Sequence, residues 1–210
     1  MFGEDFEAFP TCASASGFAL LATPASRANT LGTQNRYLVK VRSCGDAGSN
    51  ALGAAGAPAS WTTTIDPTSL PLASNGYGVG LLTVVVPSDA DAGDVNLDVT
   101  ATANANAVHA NAELNIANQY IVTIPDGTGN GDHHFPPSLS LKVGTLLRIL
   151  DDSTAPHRIH GEGNVGFTHQ ASLMTQGQEY DMTPTVSGTG DFYCHDHGIA
   201  AGKTNVTVVP

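Results

Sequence analysis

Short runs of apolar and β-branched residues recur along the chain, and each run is bounded by residues that favour turns. The segment YLVKVR places Tyr37, Val39 and Val41 on one side of the chain and Lys40 and Arg42 on the other. A two-residue period of this kind puts one strand face against a core and the other mostly towards water. The 23 glycines and 12 prolines supply turns, and helix signals are scarce. The pattern predicts an all-β chain.

The predicted strands fall into two successive series, with a boundary at 118–119. Each series has enough strands for a small sandwich and too little intervening chain for helical crossovers. We therefore expect two β-sandwich domains, 1–118 and 119–210. The predicted strands are 18–22, 37–42, 61–65, 79–86, 96–103, 112–117, 119–124, 138–143, 146–150, 157–159, 179–183, 191–193 and 204–209, with a loop at 45–60.

The charge balance limits the classes of partner. Lysine and arginine total 8 against 19 aspartates and glutamates, a net charge of -11, which argues against nucleic acid or an anionic membrane as the partner. No apolar run reaches the roughly 18 residues of a membrane span. The start MFGEDFEAFP is acidic, whereas a signal peptide begins with a basic and then an apolar stretch. We expect a mature exported protein, located in the periplasm, at the cell surface or outside the cell.

The three cysteines divide unevenly between the two halves. Cys12 and Cys44 both lie in the first half, each beside a strand-like run. In an exported protein such a pair is expected to form a disulfide. Cys194 is then left over, either to pair with another chain or to serve as a functional thiol.

Histidines cluster around this remaining cysteine and one upstream motif. Seven of the 8 histidines lie in the second half, and four of them occupy Pro-His-Arg-Ile-His (156–160) and Cys-His-Asp-His (194–197). A thiolate with two imidazoles suits copper, because soft sulfur binds Cu(I) and imidazole binds both oxidation states; zinc is the alternative. A cysteine at a strand end and a histidine three residues later can converge on a metal that a third ligand reaches from another strand.

The motifs TAPHRI, GTGDFYCHDHG and GKTNVTVV resemble the cupredoxin (blue copper) family, in its plastocyanin-like branch, over residues 119–210. The resemblance implies a Greek-key β-sandwich with copper under one end. It also implies that His157, which follows a proline, is the first ligand, and that Cys194 and His197 are the next two.

Two departures from the family pattern concern the ligand set. Ala200 stands where the family carries an axial methionine, so the site is expected to lack a thioether and to have a raised reduction potential. Met174 and Met182 are interpreted as core residues. The extra histidines His160 and His195 resemble positions that serve a further copper cluster in multicopper oxidases.

Three other histidines of the second half are His133, His134 and His169. They could add ligands to such a cluster, and we interpret them as exposed loop residues.

The first half resembles the immunoglobulin-like domains of bacterial surface and secreted proteins, over about residues 18–117. The resemblance rests on SWTTTIDPTSLPL, GYGVGLLTVVVPSDADAG and DVTATA. It implies a spacer or interaction module without a catalytic site. Trp61 is expected in the core, and His109 is expected on an exposed loop.

The combined hypothesis is a non-enzymatic electron carrier with one copper held by His157, Cys194 and His197. Its partner would be a redox protein, and a basic cytochrome would suit the acidic surface. Copper sequestration or delivery is one alternative. An oligomeric copper oxidase or reductase that uses His160 and His195 is another.

Overall fold

The computed structural model describes residues 9–125 and 135–210, and the fold is all-β, as predicted. Within these residues the helical structure is a 3-10 turn, Ile199–Ala201. The chain contacts define two compact units. The first runs to Asn29 and includes Thr33–Val86 and Gly93–Ile116, and the second comprises Thr30–Gly32, Pro87–Ala92 and Ala117–Pro210.

The first unit is built on two groups of antiparallel strands. One sheet has the order β1-β3-β7-β5. In the other group, β6 pairs β4, β4 pairs β8, and β8 pairs the first part of β9, which β2 also pairs. The strands are β1 Phe18–Thr23, β2 Ser26–Leu31, β3 Gln34–Ser43, β4 Gly48–Ala55, β5 Thr62–Asp66, β6 Ser69–Leu72, β7 Tyr77–Val85, β8 Gly93–Ala103 and β9 Asn106–Ile124.

Strand β3 confirms the predicted alternation, with a correction at Lys40. Tyr37, Val39 and Val41 are fully buried, as expected for the core face. Lys40, predicted on the wet face, is only 2% exposed, and its ammonium lies 5.8 Å from the ring centroid of Phe9. The cation lies over an aromatic ring, so this one position of the second face is covered. Arg36 on the same face is exposed, and Arg42 is half-buried.

Several local predictions for the first unit are settled by the strand pairing. The loop predicted at 45–60 is wrong, because β4 lies within it. Strands β2 and β6 were not predicted. Trp61 is buried, as expected. His109 is exposed, as expected, but it lies on β9 opposite Thr100 and not in a loop.

A disulfide joins Cys12 to Cys44, which confirms that prediction, and Cys194 is a free, buried cysteine. The disulfide closes a loop with a sequence separation of 32 and links the segment before β1 to the end of β3. This covalent link lies wholly in the first unit.

The second unit also contains two strand groups. One sheet has the order β10-β15-β14-β12, in which β10 and β15 are parallel and the other pairs antiparallel. In the other group β11 lies between β13 and the last part of β9. The remaining strands are β10 Ser138–Lys142, β11 Leu146–Asp151, β12 Ile159–Gly163, β13 Glu179–Met182, β14 Gly188–Cys194 and β15 Lys203–Val209.

Strand β9 is continuous across the predicted domain boundary at 118–119, where two separate strands were expected. Its residues up to Ile116 belong to the first unit, and those from Ala117 belong to the second. The division into domains of 1–118 and 119–210 stays a prediction.

The core of the second unit draws on both of its strand groups. Leu147 and Ile149 of β11 and Phe192 of β14 are fully buried within one apolar cluster. Met174 and Met182 belong to the same cluster, as predicted. Within residues 9–125 and 135–210, no helix has the length and apolar character that a membrane crossing requires.

Candidate metal centre

His157 is presented by a short loop between β11 and β12 whose shape is set by its own side chains. The Asp151 carboxylate accepts a hydrogen bond from the Ser153 amide at 3.0 Å, and the Ser153 hydroxyl accepts one from the Ala155 amide at 3.0 Å. Burial raises the pKa of Asp151. His157 then forms an isolated antiparallel bridge with Met174, through amide-to-carbonyl bonds in both directions. These contacts hold its backbone on both sides.

Cys194 is the last residue of β14, and a tight turn carries the chain from it to His197. Cys194 lies opposite Ile159 of β12. The Gly198 amide donates to the Cys194 carbonyl at 2.9 Å, which closes the turn over the three residues between them. Gly198 has φ 72°, a conformation that glycine adopts without a steric penalty. Cys194 and His197 are thereby held in one compact turn.

The three predicted ligands meet at this end of the sheet. Each of His157, Cys194 and His197 offers one donor atom, and the three atoms lie within 4.8 Å of one another. The two imidazole centroids are 4.8 Å apart, with an interplanar angle of 71°. His157 and Cys194 are buried, whereas His197 is half-buried. The arrangement can receive one small cation from a thiolate and two imidazoles.

An ion pair links the segment that carries His157 to the turn that carries Cys194 and His197. Arg158, next to His157, donates to the Asp196 carboxylate at 2.8 Å, and Asp196 lies in the Cys194–His197 turn. The amide of His195 also donates to the carbonyl of Arg158. Both contacts restrict the turn relative to the start of β12, so they help to hold the three donors together.

The methionines do not alter the predicted ligand set. Ala200 lies in the exposed 3-10 turn, where the family pattern carries a methionine. Met174 is fully buried and bridges His157 through its backbone. Met182 is also buried, near Gly161. Each packs in the core of the second unit.

The secondary candidates His160 and His195 come together in a separate group, and a third histidine joins them. His169 lies beside both, and the donor atoms of the three imidazoles are within 4.8 Å of one another. Sequence reasoning interpreted His169 as an exposed loop residue, and it is exposed. Its bridge to His160 brings it into the group, and nothing in the sequence spacing signals that contact. His133 and His134 lie outside the described residues.

The surroundings of His169 favour its neutral imidazole. Partial desolvation lowers the pKa of His169, and the neighbouring imidazoles of His160 and His195 lower it further. A lowered pKa leaves the ring uncharged at neutral pH, and the uncharged ring has a free lone pair for a metal.

The donor set of the first group fits copper. One thiolate and two imidazoles are typical of trigonal copper sites, and the burial of the sulfur excludes water from the softest ligand. Zinc accepts the same atoms, with a fourth protein donor in structural sites or with water as the fourth ligand in catalytic sites. Among the described residues, this group contains the three donors alone.

Part of this chain is similar in sequence to a copper protein, amicyanin. No family model matches the chain. Amicyanin from Paracoccus denitrificans is 31% identical over 72 residues, which are 33% of this chain and 55% of amicyanin. The chain thus spans about half the length of this relative.

Two solved structures are also similar. A novel purple cupredoxin from Nitrosopumilus maritimus has 25% identity and a TM-score of 0.35, covering 42% of this chain and 98% of its own. A reduced tryptophan-to-tyrosine variant of amicyanin has 24% identity and a TM-score of 0.35, covering 44% and 83%. The sequence identity with amicyanin supports a cupredoxin domain within this chain.

Proposed function

We propose that this protein is an exported electron carrier whose copper is held by His157, Cys194 and His197. The observation that carries the proposal is the convergence of these three donor atoms to within 4.8 Å at one end of a β-sheet. The similarity to amicyanin supports the same interpretation. Copper supplies a one-electron couple between Cu(I) and Cu(II).

The protein's contribution is to hold the three donors in one arrangement for both oxidation states. The bridge to Met174 fixes the backbone of His157, and the Gly198–Cys194 hydrogen bond fixes the turn to His197. If the ligands keep the same positions in both oxidation states, less structural reorganisation accompanies each electron transfer. Without an axial thioether at Ala200, the reduction potential is expected to be raised.

The exposure of the ligands suggests where electrons enter and leave. His157 and Cys194 are buried, and His197 is half-buried. We therefore expect the exposed edge of the His197 ring to be the part of the site that lies nearest to a docked partner. A redox protein with a basic docking face suits the net charge of -11, and a basic cytochrome is an example.

The first unit supports the export of the protein, and the proposed copper donors all come from the second unit. The Cys12–Cys44 disulfide indicates an oxidising compartment, such as the periplasm or the exterior of the cell. An immunoglobulin-like spacer that presents the copper domain to its partner fits the arrangement of antiparallel strands in this unit.

Copper titration of the metal-free protein tests the proposal. The first equivalent should produce an intense thiolate-to-copper band in the visible spectrum, and the bound copper should cycle reversibly in a potentiometric titration. Cys194→Ser should abolish the band, because serine offers no sulfur donor. The double variant Cys12→Ser, Cys44→Ser is the matched control and should retain it.

Two results would contradict the electron carrier. A visible band that survives Cys194→Ser would show that this sulfur is not a ligand. Copper that binds to wild type but cannot be reduced and reoxidised reversibly would favour sequestration or delivery.

A further inference from the structure

A second group of imidazoles lies beside the first site and shares no donor with it. His160 is on β12, His195 follows the end of β14, and His169 comes from the chain that returns after β12 to bridge His160. His169 and His195 are exposed, and His160 is half-buried. The His169 ring packs face to edge against the other two. Its centroid lies 4.6 Å from that of His160 and 5.0 Å from that of His195.

The nitrogen positions fit the ligand separations of a metal centre. His195 Nδ1 lies 3.2 Å from His160 Nδ1 and 3.2 Å from His169 Nε2. Imidazole nitrogens bound about 2.0–2.1 Å from a tetrahedral metal are about 3.3 Å apart. Two of the three nitrogen separations therefore match those of ligands on one ion, and all three donor atoms lie within 4.8 Å of one another.

Hydrogen bonding alone leaves this group unsatisfied. His160 Nε2 is 2.8 Å from the Glu162 carboxylate, which can accept a hydrogen bond from it; in the neutral tautomer that makes this bond, Nδ1 presents a lone pair. His195 Nδ1 has one proton or one lone pair, yet it faces two nitrogens at hydrogen-bond distance. It can form one of these bonds well, whereas a cation among the three nitrogens would engage all of them.

The contact with Glu162 is the arrangement that metal-bound histidines adopt. A ligand imidazole commonly donates its second N–H to a carboxylate, which fixes the tautomer and the ring orientation. Glu162 also accepts a hydrogen bond from Tyr193 at 3.3 Å, and the Tyr193 ring stacks on His160 with centroids 4.8 Å apart. His160 is thus oriented from two directions.

We propose that His160, His169 and His195 bind a second metal ion, copper(II), with Glu162 as the positioning residue for His160. Three imidazoles suit copper or zinc, and copper(II) binds such a set most tightly among the divalent first-row metals. Because two of the ligands are exposed, a further coordination position is open to water. This site goes beyond the electron carrier and is independent of Cys194 as a ligand.

Copper(II) titration of the metal-free full-length protein, followed by metal analysis, visible absorption and EPR, tests the second site. Wild type should bind two equivalents, one with the thiolate band and one with an EPR signal but no such band. His169→Gln should bind one equivalent and keep the band. Cys194→Ser should keep the second equivalent and its EPR signal, which separates this site from the electron carrier.

Matched variants make the outcome decisive. His109→Gln changes another exposed histidine, in the first unit, and should keep both equivalents. Glu162→Gln should weaken the second site by about 10–100-fold and leave the thiolate band unchanged. The proposal is overturned if wild type binds one equivalent and that equivalent carries the thiolate band, or if the double variant His160→Gln, His169→Gln still binds two. A single equivalent without the band would overturn the electron carrier instead.

Discussion

Gly198 is the residue on which the geometry of the Cys194–His197 turn depends. Its amide closes the turn on the Cys194 carbonyl, and its φ of 72° lies in the left-handed region. Among the described residues, no heavy atom outside its chain neighbours lies within 4 Å of the position that a Cβ would take. A side chain there is therefore opposed by backbone conformation and not by crowding.

Gly198→Ala should lower stability by about 1 kcal/mol, because an L-residue in the left-handed region is strained. Relief of that strain by a shift of the turn would move His197, so the thiolate-to-copper band should change in position or intensity. Urea unfolding and visible spectroscopy measure the two effects.

Gly144→Ala is the matched control for this prediction. Gly144 also has a positive φ, 83°, and open space around it, but it lies between β10 and β11. The control should lose similar stability and keep the wild-type band. A Gly198→Ala spectrum identical to wild type would mean that the turn does not control His197.

At the scale of elements, the pairing of β11 with β13 carries a forked ion pair. Arg148 lies directly opposite Asp181 in the register. Its Nε and Nη2 donate to the two carboxylate oxygens at 2.9 and 2.8 Å, and Glu179 lies 3.0 Å from the same guanidinium. The hydrogen bonds from Arg148 lower the pKa of Asp181.

The sign of the resulting pH dependence follows from this lowered pKa. The unfolded chain holds the Asp181 proton up to about pH 3.8, whereas the folded chain releases it at a lower pH. The stabilising contribution is thus complete above the unfolded value and is lost as the pH falls through the folded value.

Asp181→Asn should lower stability at pH 7 by up to about 1 kcal/mol, since solvent screens this partly exposed pair. The difference from wild type should shrink towards zero in urea unfolding as the pH falls through the lowered folded pKa of Asp181, because the carboxyl then becomes protonated in both states. Asp152→Asn, at an exposed position of the same unit, is the control. A difference that persists unchanged at low pH would assign the effect to packing.

At the scale of the whole molecule, the structural cross-link and the metal donors belong to different units. The disulfide closes a loop with a sequence separation of 32 in the first unit, and the six histidine and cysteine donors of both sites lie in the second. The chain-entropy model assigns about 4 kcal/mol to a loop of this length.

Removing the bridge with Cys12→Ser, Cys44→Ser should therefore lower the thermal stability of the first unit, with a loss of up to about 4 kcal/mol. The visible band of bound copper at 25 °C should be unchanged, because the proposed ligands His157, Cys194 and His197 belong to the second unit. Calorimetry in the presence and absence of a thiol reductant measures the first effect on wild type as well. An unchanged melting profile would show that the loop is held by packing alone.

Local patterns explain which elements could be predicted. The alternation in β3 and β7 reflects strands that bury one face, so periodicity revealed them. Strand β4 is rich in Gly, Ala, Ser and Asn, which have low strand preference. It forms because β6 and β8 flank it on both sides, and pairing with neighbours overrides its own preference.

The sequence by itself determined the all-β class, the pairing of Cys12 with Cys44 and the candidate ligands His157, Cys194 and His197. The fold class follows from the two-residue period and the turn residues, and the disulfide follows from the count and placement of the cysteines. The ligands follow from the resemblance of their motifs to the cupredoxin family. Tertiary structure alone decided that Lys40 is covered and that His169 joins His160 and His195. These contacts depend on long-range packing and on the path of a returning loop, which residue spacing does not encode.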